Sequence, residues 1–259
     1  MTPTDVTLAD RLADAAGAAI RPYFRSIYTH EAKSDASPVT EADRAAEAAI
    51  RAILDVECPH DAIIGEEYGE KTGTSGRTWV LDPIDGTVSF MAGRPIFGTL
   101  IALLEDGWPV LGVIDQCISG ERWVGAAGRE TTLNGKPIRT RSCRSLGDIV
   151  LASTGPQYFD THDAEHFMAL ASKTAHKRMV WGGDCYNYGL LAAGHIDLVV
   201  ESGLKLHDFA ALVPVVEGAG GMMCDWNGEP LHAASDGHVI ALGEPARLDD
   251  VLEALACRH

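Results

Sequence analysis

Two aspartates follow an apolar run in the stretch 79–90, which reads WVLDPIDGTVSF. Asp82 ends the run, Pro83 fixes the turn that follows, and Asp85 comes three residues after the first acid. Carboxylates that share one site repel each other, and they stay ionised together only when a cation joins them. Because oxygen ligands suit Mg²⁺ or Mn²⁺, the pattern predicts a divalent-metal site to which the Ile84 carbonyl could add a further oxygen.

Gly86 and Thr87 come directly after the second aspartate. A glycine lets the main chain approach a ligand closely, and a helix that begins here would turn its free N–H groups toward a bound phosphate. The Thr87 hydroxyl could position a water molecule beside that phosphate. A metal site next to a phosphate-binding helix start is typical of metal-assisted phosphate ester hydrolysis.

Other acids also stand where apolar elements begin or end. Glu66 and Glu67 follow AIIG, Glu201 ends DLVVE, and Asp208 opens DFAALVPVVEGAGG. Each one alone is ordinary, as a surface pair or a helix N-cap, but ligands in α/β folds bind at strand ends and helix starts. Their joint occurrence favours one shared site. Since no His/Cys cluster has zinc spacing, His207 is expected to pack beside this site and not to be a ligand.

The elements that would position these acids follow from hydrophobic periodicity. We predict a first helix with Leu8, Leu12, Ala15, Ala19 and Tyr23 on one stripe. We predict a second helix that has Thr40 as its N-cap and the following buried face: Ala46, Ile50, Ile53 and Leu54.

Strands follow these helices. A strand TWVL should end at Asp82, FGTLIALLEDGWPVLGVIDQ should form a hairpin, and NGK should make a second tight turn. After residue 145 strands and helices alternate, with helices predicted at DAEHFMALASKT and from Asp184 after the Gly182-Gly183 turn, and one that starts at Asp208. The order predicts a layered α/β (α+β) protein with two sheets. It comprises an N-terminal half, 1–145, with GEE and DPIDGT, and a C-terminal half, 146–259, with GGDC and HDFAAL, in one compact unit.

Composition restricts the function classes. The 259 residues carry a formal net charge of −16, which argues against nucleic acid as a partner. No stretch approaches the length of a membrane span, so no membrane partner is expected. The six cysteines form no CxxC pair and no secretory signal precedes them, so we expect reduced thiols in a cytoplasmic protein.

Taken together, GEE, LDPIDGT and HDFAALVPVVEGAGG resemble the three metal motifs of the inositol monophosphatase family, and the resemblance covers nearly the whole chain. It implies a Mg²⁺-dependent hydrolase of small phosphate monoesters, with Mn²⁺ as a possible substitute. It also implies a five-layer α-β-α-β-α sandwich that is commonly a homodimer. His207 departs from the family, which usually has Trp at this position, whereas Asp208 is kept.

The resemblance also implies a role for each matching residue. The metal ligands would be Glu66, Asp82, the Ile84 carbonyl, Asp85 and Asp208. Glu66 and Thr87 would orient and help activate the attacking water, and Asp43 would support Thr87 or bind a metal through water. Substrate contacts would come from Ile84, Asp85, Gly86, Thr87 and Asp208, with Gly86 and Thr87 holding the phosphate.

Within the family, GGDCYNYGLLAAGHIDLVVESGLK most resembles the histidinol-phosphate phosphatase branch. Asp184 and Glu201 would then bind the part of the substrate beyond the phosphate, where two acids suit an ammonium and an imidazole. Asp184 could instead only cap its helix. Two other functions stay open: an inositol-1-monophosphatase or broad sugar-alcohol monophosphatase, and a non-catalytic metal- or phosphate-binding module. A water-positioning hydroxyl at Thr87 argues against the module.

Overall fold

The computed structural model describes residues 3–26, 38–174 and 178–256. Within these ranges the helices are α1 (Pro3–Ile20), α2 (Pro38–Glu57), α3 (Thr87–Met91), α4 (Thr161–Lys173), α5 (Asp184–Ala192), α6 (Leu206–Phe209), α7 (Leu212–Gly218) and α8 (Leu248–Leu255). The strands are β1 (Ala62–Gly65), β2 (Gly69–Lys71), β3 (Arg77–Asp85), β4 (Gly98–Glu105), β5 (Trp108–Gln116), β6 (Glu121–Ala126), β7 (Thr132–Leu133), β8 (Lys136–Pro137), β9 (Leu151–Ser153), β10 (Met179–Trp181), β11 (Leu198–Glu201), β12 (Met222–Cys224) and β13 (Val239–Leu242).

These strands form two sheets. The first has the order β2-β1-β3-β4-β5-β6-β7-β8, in which only β1 and β3 are parallel, and the second has the order β10-β9-β11-β13-β12. The predicted hairpin is confirmed as the antiparallel pair β4 and β5. The tight turn between β7 and β8 is also confirmed, with Asn134 and Gly135 at φ 50° and 75°. Asn-Gly suits such a turn because both central residues need positive φ.

Neighbouring side chains of β3 belong to different cores, because side chains alternate along a strand. Trp79 packs with α1 and α2 on one face, whereas Val80 packs with α5 and α7 between the two sheets. On the outer face of the second sheet, α4 and α8 contribute Phe167 and Val251 to a third core. The layers are therefore helix, sheet, helix, sheet, helix, which confirms the predicted five-layer sandwich.

The two N-terminal helices differ from the prediction in detail. In α1, Leu8 and Leu12 are buried as expected, but the stripe continues through Ala16 to Ile20. Ala15 and Ala19 are only half-buried, and Tyr23 lies beyond the end of the helix. The buried residues of α1 were predicted partly wrongly because alanines lie on both sides of the row of leucines. Hydrophobicity alone therefore does not show which alanines are buried.

The second helix begins three residues earlier than predicted, at Pro38 instead of Glu41, so Thr40 lies inside α2 and is not its N-cap. Proline is favoured in the first turn of a helix because the N–H it lacks has no partner there anyway. Ala46, Ile50 and Leu54 are fully buried, as predicted, while Ile53 is half-buried.

Two further boundaries were wrong. The strand predicted to end at Asp82 continues to Asp85 as part of β3, with a register shift against β4 between the two aspartates. The helix predicted to start at Asp208 is two helices, α6 and α7, and Asp208 is the third residue of α6. In both places the backbone is irregular, whereas the apolar pattern of the sequence predicts one regular element.

Among the described residues, no helix is long and apolar enough to span a membrane. The described cysteines are free thiols, at positions 58, 117, 143, 185 and 224, and Cys257 lies outside the described residues. The first sheet uses residues 62–137 and the second uses 151–242. The division into halves at residue 145 stays a prediction.

Candidate active site

Three carboxylates meet where β3 ends beside α6. Asp82, Asp85 and Asp208 each offer one oxygen, and these oxygens all lie within 4.8 Å of one another. Residues three apart on a regular strand point to opposite faces, so a straight β3 would separate the first two acids. The register shift after Asp82 removes this obstacle, since such irregularities re-aim side chains next to active sites.

Hydrogen bonds fix the orientation of all three carboxylates. One oxygen of each accepts a main-chain N–H, and the pairs are Asp82 Oδ1 with Ile84 N at 3.1 Å, Asp85 Oδ2 with Cys185 N at 2.6 Å, and Asp208 Oδ2 with Lys205 N at 2.6 Å. Each carboxylate keeps a second oxygen that does not take part in this main-chain bond. Such fixed oxygens form the donor set that hard divalent cations prefer.

The electrostatics of the group also fit a cation. Burial, and then the charges of Asp85 and Glu66, raise the pKa of Asp82 well above its usual range. Burial raises the pKa of Asp85 as well, and the charges of Asp184 and Asp208 add to the effect. Without a positive partner these acids favour the protonated form. A metal ion bound by the cluster would let Asp82 and Asp85 ionise, and the cluster could therefore hold one.

A cavity of about 300 Å³ opens beside the acids, and residues from both halves of the chain line it. Gly86 lies in its wall at φ 86°, a left-handed conformation that favours glycine. A Cβ on Gly86 would lie 2.7 Å from Asp184 Oδ2, so a side chain there would push against the opposite wall. Thr87 begins α3, and its hydroxyl donates to the Ile84 carbonyl oxygen across 3.3 Å.

Glu66 lines the same cavity but lies outside the group of three acids. Its Oε1 is 4.0 Å from Nε2 of His207, and the same nitrogen is 3.5 Å from Asp208 Oδ1. His207 is only 12% exposed. It therefore lies between two acids of the predicted site, which agrees with the expectation that it packs beside the site.

The turn that carries Glu66 rests on Glu47, a residue that the sequence analysis missed. Glu47 is fully buried in α2, where its carboxylate accepts the N–H groups of Glu67 and Tyr68 at 2.8 and 3.3 Å and pairs with Arg51 at 2.7 Å. Its Oε1 would lie 2.0 Å from a Cβ on Gly65, which explains the glycine of the GEE motif. The available signal was an acid on the buried face of an amphipathic helix, since unpaired acids are rarely buried.

Asp43 lies one helical turn before Glu47 and is also buried. Burial, and then the charges of Glu67 and Glu66, raise the pKa of Asp43 to about 8. Its Oδ1 has no hydrogen-bond partner in the structure. A buried carboxylate oxygen without a partner is unfavourable, and it marks a place where a polar ligand such as a water or an ion belongs.

Glu201 lies in the wall of the cavity at the end of β11. Its Oε1 accepts the main-chain N–H and the hydroxyl of Thr154 at 2.8 and 2.5 Å, and its Oε2 accepts the hydroxyl of Tyr188 at 2.9 Å. Burial raises the pKa of Glu201 to about 6, while the hydrogen bonds from Thr154 and Tyr188 oppose the shift. Glu201 is therefore largely ionised at neutral pH without a cationic neighbour.

Asp184 also faces the cavity, at the first position of α5, with φ 45°. The N-cap of α5 is Gly183, and Asp184 Oδ2 accepts the hydroxyl of Ser89 at 2.8 Å. Capping is therefore not the role of this carboxylate. A left-handed backbone is uncommon for a residue other than glycine, and such strain tends to occur at functional sites.

Comparison with known proteins agrees with this geometry. A family model described as the inositol monophosphatase family matches residues 3–258. A plant protein, the chloroplastic bifunctional phosphatase IMPL2 of Arabidopsis thaliana, is 47% identical over 257 residues, which cover 96% of this chain and 74% of that protein. A histidinol-phosphatase of Chlorobaculum parvum is 36% identical over 243 residues, which cover 93% of each chain.

A solved structure, an inositol monophosphatase from Zymomonas mobilis, superimposes with a TM-score of 0.92 at 53% identity and covers 98% of both chains. These matches span the elements that bring the three acids and the cavity together, and the predicted phosphatase class is confirmed by them. By its sequence and its fold, this chain is a phosphatase that belongs to the inositol monophosphatase family.

Proposed function

We propose that this phosphatase hydrolyses L-histidinol phosphate to L-histidinol and phosphate, with Mg²⁺ as its metal. The observation that carries the proposal is that the cavity is lined by Asp85 and Asp208 of the three-aspartate cluster and by two further carboxylates, those of Asp184, which lies beside Asp85 and Gly86, and of Glu201 on the second sheet. A phosphate fits beside the cluster, because a bound cation can offset its charge. An amine-bearing alcohol suits the two further carboxylates.

The metal would be held by Asp82, Asp85 and Asp208, with Glu66 and the Ile84 carbonyl as further oxygens. When bound, it would polarise the phosphoryl oxygens and offset negative charge as the phosphate ester is attacked. Mn²⁺ offers the same oxygen-ligand chemistry and would be a substitute.

Residues of this chain would hold the reacting groups in place. Gly86 allows the phosphate to approach the main chain, and the Thr87 hydroxyl, now bonded to the Ile84 carbonyl, would orient the attacking water. Glu66 would accept a proton from that water, and the unpaired oxygen of Asp43 would hold a water or a second ion nearby. The phosphoryl group then passes directly to water, with no side chain as a nucleophile.

The alcohol would be selected by Asp184, next to the acidic cluster, and by Glu201 on the second sheet. The ammonium of histidinol phosphate could donate to Asp184 or to Glu201, and a hydrogen bond to a charged group contributes roughly 1.5–3 kcal/mol. That corresponds to a preference of about 10- to 150-fold over an ester without an amine. The histidinol-phosphatase of C. parvum supports this choice as a relative of similar length.

Inositol-1-phosphate is the second candidate substrate. It is favoured by the solved Zymomonas mobilis structure, which is an inositol monophosphatase and is 53% identical to this chain. Activity on several sugar-alcohol phosphates would also fit, since the metal end accepts any phosphate monoester. A homodimer, a cytoplasmic location and a place in histidine biosynthesis accompany the leading proposal as predictions.

The deciding experiment compares kcat/KM for histidinol phosphate and for inositol-1-phosphate, in wild type and in Asp184→Asn. The wild type should prefer histidinol phosphate. Asp184→Asn keeps the size of the side chain but removes the charge, so kcat/KM for histidinol phosphate should fall by at least about tenfold, while inositol phosphate hydrolysis stays nearly unchanged.

Asp160→Asn is the matched control, because Asp160 caps α4 through Asp163 N and Asn caps about equally well. It should leave both substrates unaffected. Equal losses of kcat/KM on both substrates in Asp184→Asn would show that Asp184 does not determine substrate specificity. A wild-type preference for inositol-1-phosphate would overturn the histidinol-phosphate proposal.

A further inference from the structure

A second set of metal-ligating side chains lies on α4, outside the cavity. His162 and His166 are one helical turn apart, so their side chains are neighbours on the same face. Their Nε2 atoms are 3.2 Å apart, and the ring centroids are 4.3 Å apart. Neither residue lines the cavity that holds the three aspartates.

The partners of the other ring nitrogens decide where the protons are. His166 Nδ1 lies 2.5 Å from the carbonyl oxygen of Leu255, at the end of α8. A carbonyl can only accept, so Nδ1 of His166 carries the hydrogen and its Nε2 presents a lone pair. His162 Nδ1 lies 3.6 Å from Asp163 Oδ1, which is too long for a hydrogen bond, so the His162 ring is free to adopt either tautomer.

Nε2 of His166 therefore offers a lone pair toward His162 Nε2, 3.2 Å away. A hydrogen on His162 Nε2 satisfies this lone pair in one tautomer, and in the other tautomer both nitrogens offer lone pairs to a cation between them. An imidazole whose Nδ1–H is held by a carbonyl or carboxylate while its Nε2 is free is the arrangement seen in metal-ligating histidines. The pair thus fits a metal ion, and the Leu255 carbonyl holds the His166 ring in the tautomer that a metal requires.

We propose that His162 and His166 chelate a divalent transition-metal ion of the Zn²⁺, Ni²⁺ and Cu²⁺ class, at a site separate from the acidic cluster. Two nitrogens at ~2.0–2.1 Å from a tetrahedral ion lie roughly 3.3 Å apart, which matches the observed separation of the two Nε2 atoms. Imidazole nitrogen selects this class of ion, whereas the all-oxygen cluster selects Mg²⁺.

The two histidines are accessible to solvent, and a metal ion bound to them would connect α4 with α8. The His162 side chain is 76% exposed, so an ion can arrive from solvent and keep water as its remaining ligands. His166 is tied to the end of α8 through Leu255. A bound ion therefore holds α4 against α8 and stabilises the outer helical layer, which is a structural effect and not a catalytic one.

The test is equilibrium dialysis of Ni²⁺ against the full chain in saturating Mg²⁺, which occupies the acidic cluster. Wild type should bind Ni²⁺ at least about tenfold more tightly than His162→Gln or His166→Gln, because the second imidazole of a chelate binds intramolecularly. With Cu²⁺ as the probe, the electron paramagnetic resonance spectrum should show coupling to two ring nitrogens in wild type and to at most one in either variant. Wild type should also melt at a higher temperature with Ni²⁺ than without it.

His60→Gln is the matched control, since His60 is an exposed histidine on the loop before β1. It should bind Ni²⁺ like wild type. Because His162 is exposed, His162→Gln should fold and keep its kcat/KM in Mg²⁺, so this variant alone can decide if His166→Gln does not fold. Equal Ni²⁺ affinity in wild type and His162→Gln, an equal loss in His60→Gln, or displacement of Ni²⁺ by Mg²⁺ would each overturn the proposal.

Discussion

The cavity has acids at two ends, and the two ends handle negative charge in opposite ways. At the β3 end, Asp82, Asp85 and Asp208 crowd together, and burial and mutual repulsion raise the pKa of the first two well above their usual range. At the other end, Glu201 is also buried, yet its pKa rises only to about 6 because Thr154 and Tyr188 donate hydrogen bonds to it.

The two groups of acids differ in their neighbours. Glu201 has neutral donors on both oxygens, so it can hold its charge and offer it to a substrate. Each aspartate accepts one main-chain N–H, and the three carboxylates lie within 4.8 Å of one another. The same type of side chain therefore requires a cation at one end and can serve recognition at the other.

Asp82→Asn removes one charge from the three-aspartate cluster and should have the strongest effect. Its kcat should fall by more than about 10²-fold, because loss of a group that only orients a metal ligand already lowers activity by up to this factor. Wild type in a chelator should be equally inactive and should recover with Mg²⁺. Mg²⁺ should stabilise wild type by about 2.7 kcal/mol at a hundred times its dissociation constant, and Asp82→Asn should lose most of this gain in thermal melts. Full activity of chelated wild type would contradict the cation requirement.

Thr87→Ala should have the next largest effect. If its hydroxyl orients the attacking water, kcat should fall by about 10²-fold, while the Mg²⁺ dependence of the rate stays that of wild type. Thr87→Ser keeps the hydroxyl and is the control, so it should retain most of the activity. Steady-state kinetics at saturating Mg²⁺ would measure this, and equal losses in the two variants would show that the methyl group matters and the hydroxyl does not.

Glu47→Gln tests the residue that supports the turn carrying Glu66, without changing any of the clustered acids. Replacing the carboxylate removes the Arg51 pair and one of the acceptors for the turn after Gly65. The Mg²⁺ concentration for half-maximal rate should rise by about 10- to 100-fold, with much of kcat kept at high Mg²⁺. The control Glu57→Gln lies on the same helix, where Glu57 pairs with Arg11 at the surface, and such pairs contribute little. An unchanged Mg²⁺ requirement in Glu47→Gln would mean that the turn after Gly65 keeps its conformation without the Glu47 carboxylate.

Glu201→Gln should give the smallest effect. It tests the charge state of Glu201 through the pH dependence of the free energy of unfolding. Because the pKa of Glu201 in the folded protein is about 6, above its ordinary 4.5, the folded state binds this proton more tightly than the unfolded state. Its stabilising contribution is present below pH 4.5 and is lost as pH rises through about 6. The free energy of unfolding of wild type relative to Glu201→Gln should fall by up to about 2 kcal/mol over this window, as measured by denaturant titration at each pH. A difference that does not change with pH would mean that the hydrogen bonds fully offset burial.

Much of this arrangement could be predicted from the sequence because it is local. The acids of GEE and DPIDGT stand within a few residues of an apolar strand, and the resemblance supplied their order and the five layers. The length of β3 could not be predicted from its apolar pattern. The register shift after Asp82 depends on pairing with β4, and it is this shift that lets Asp82 and Asp85 converge.

The amino-acid sequence alone shows which residue types carry the chemistry, since acids, glycine and threonine at fixed spacing need no partner to be recognised. The contacts that hold these residues in place are visible only in the folded protein. Cys185 N reaches Asp85 across 100 residues, Ser89 reaches Asp184 across 95, and His166 reaches Leu255 across 89. Hydrophobic periodicity places a residue on a face of its own element, but it does not say which side chain of a distant element will lie against it. Those contacts are fixed only when the two sheets and their helices close on each other.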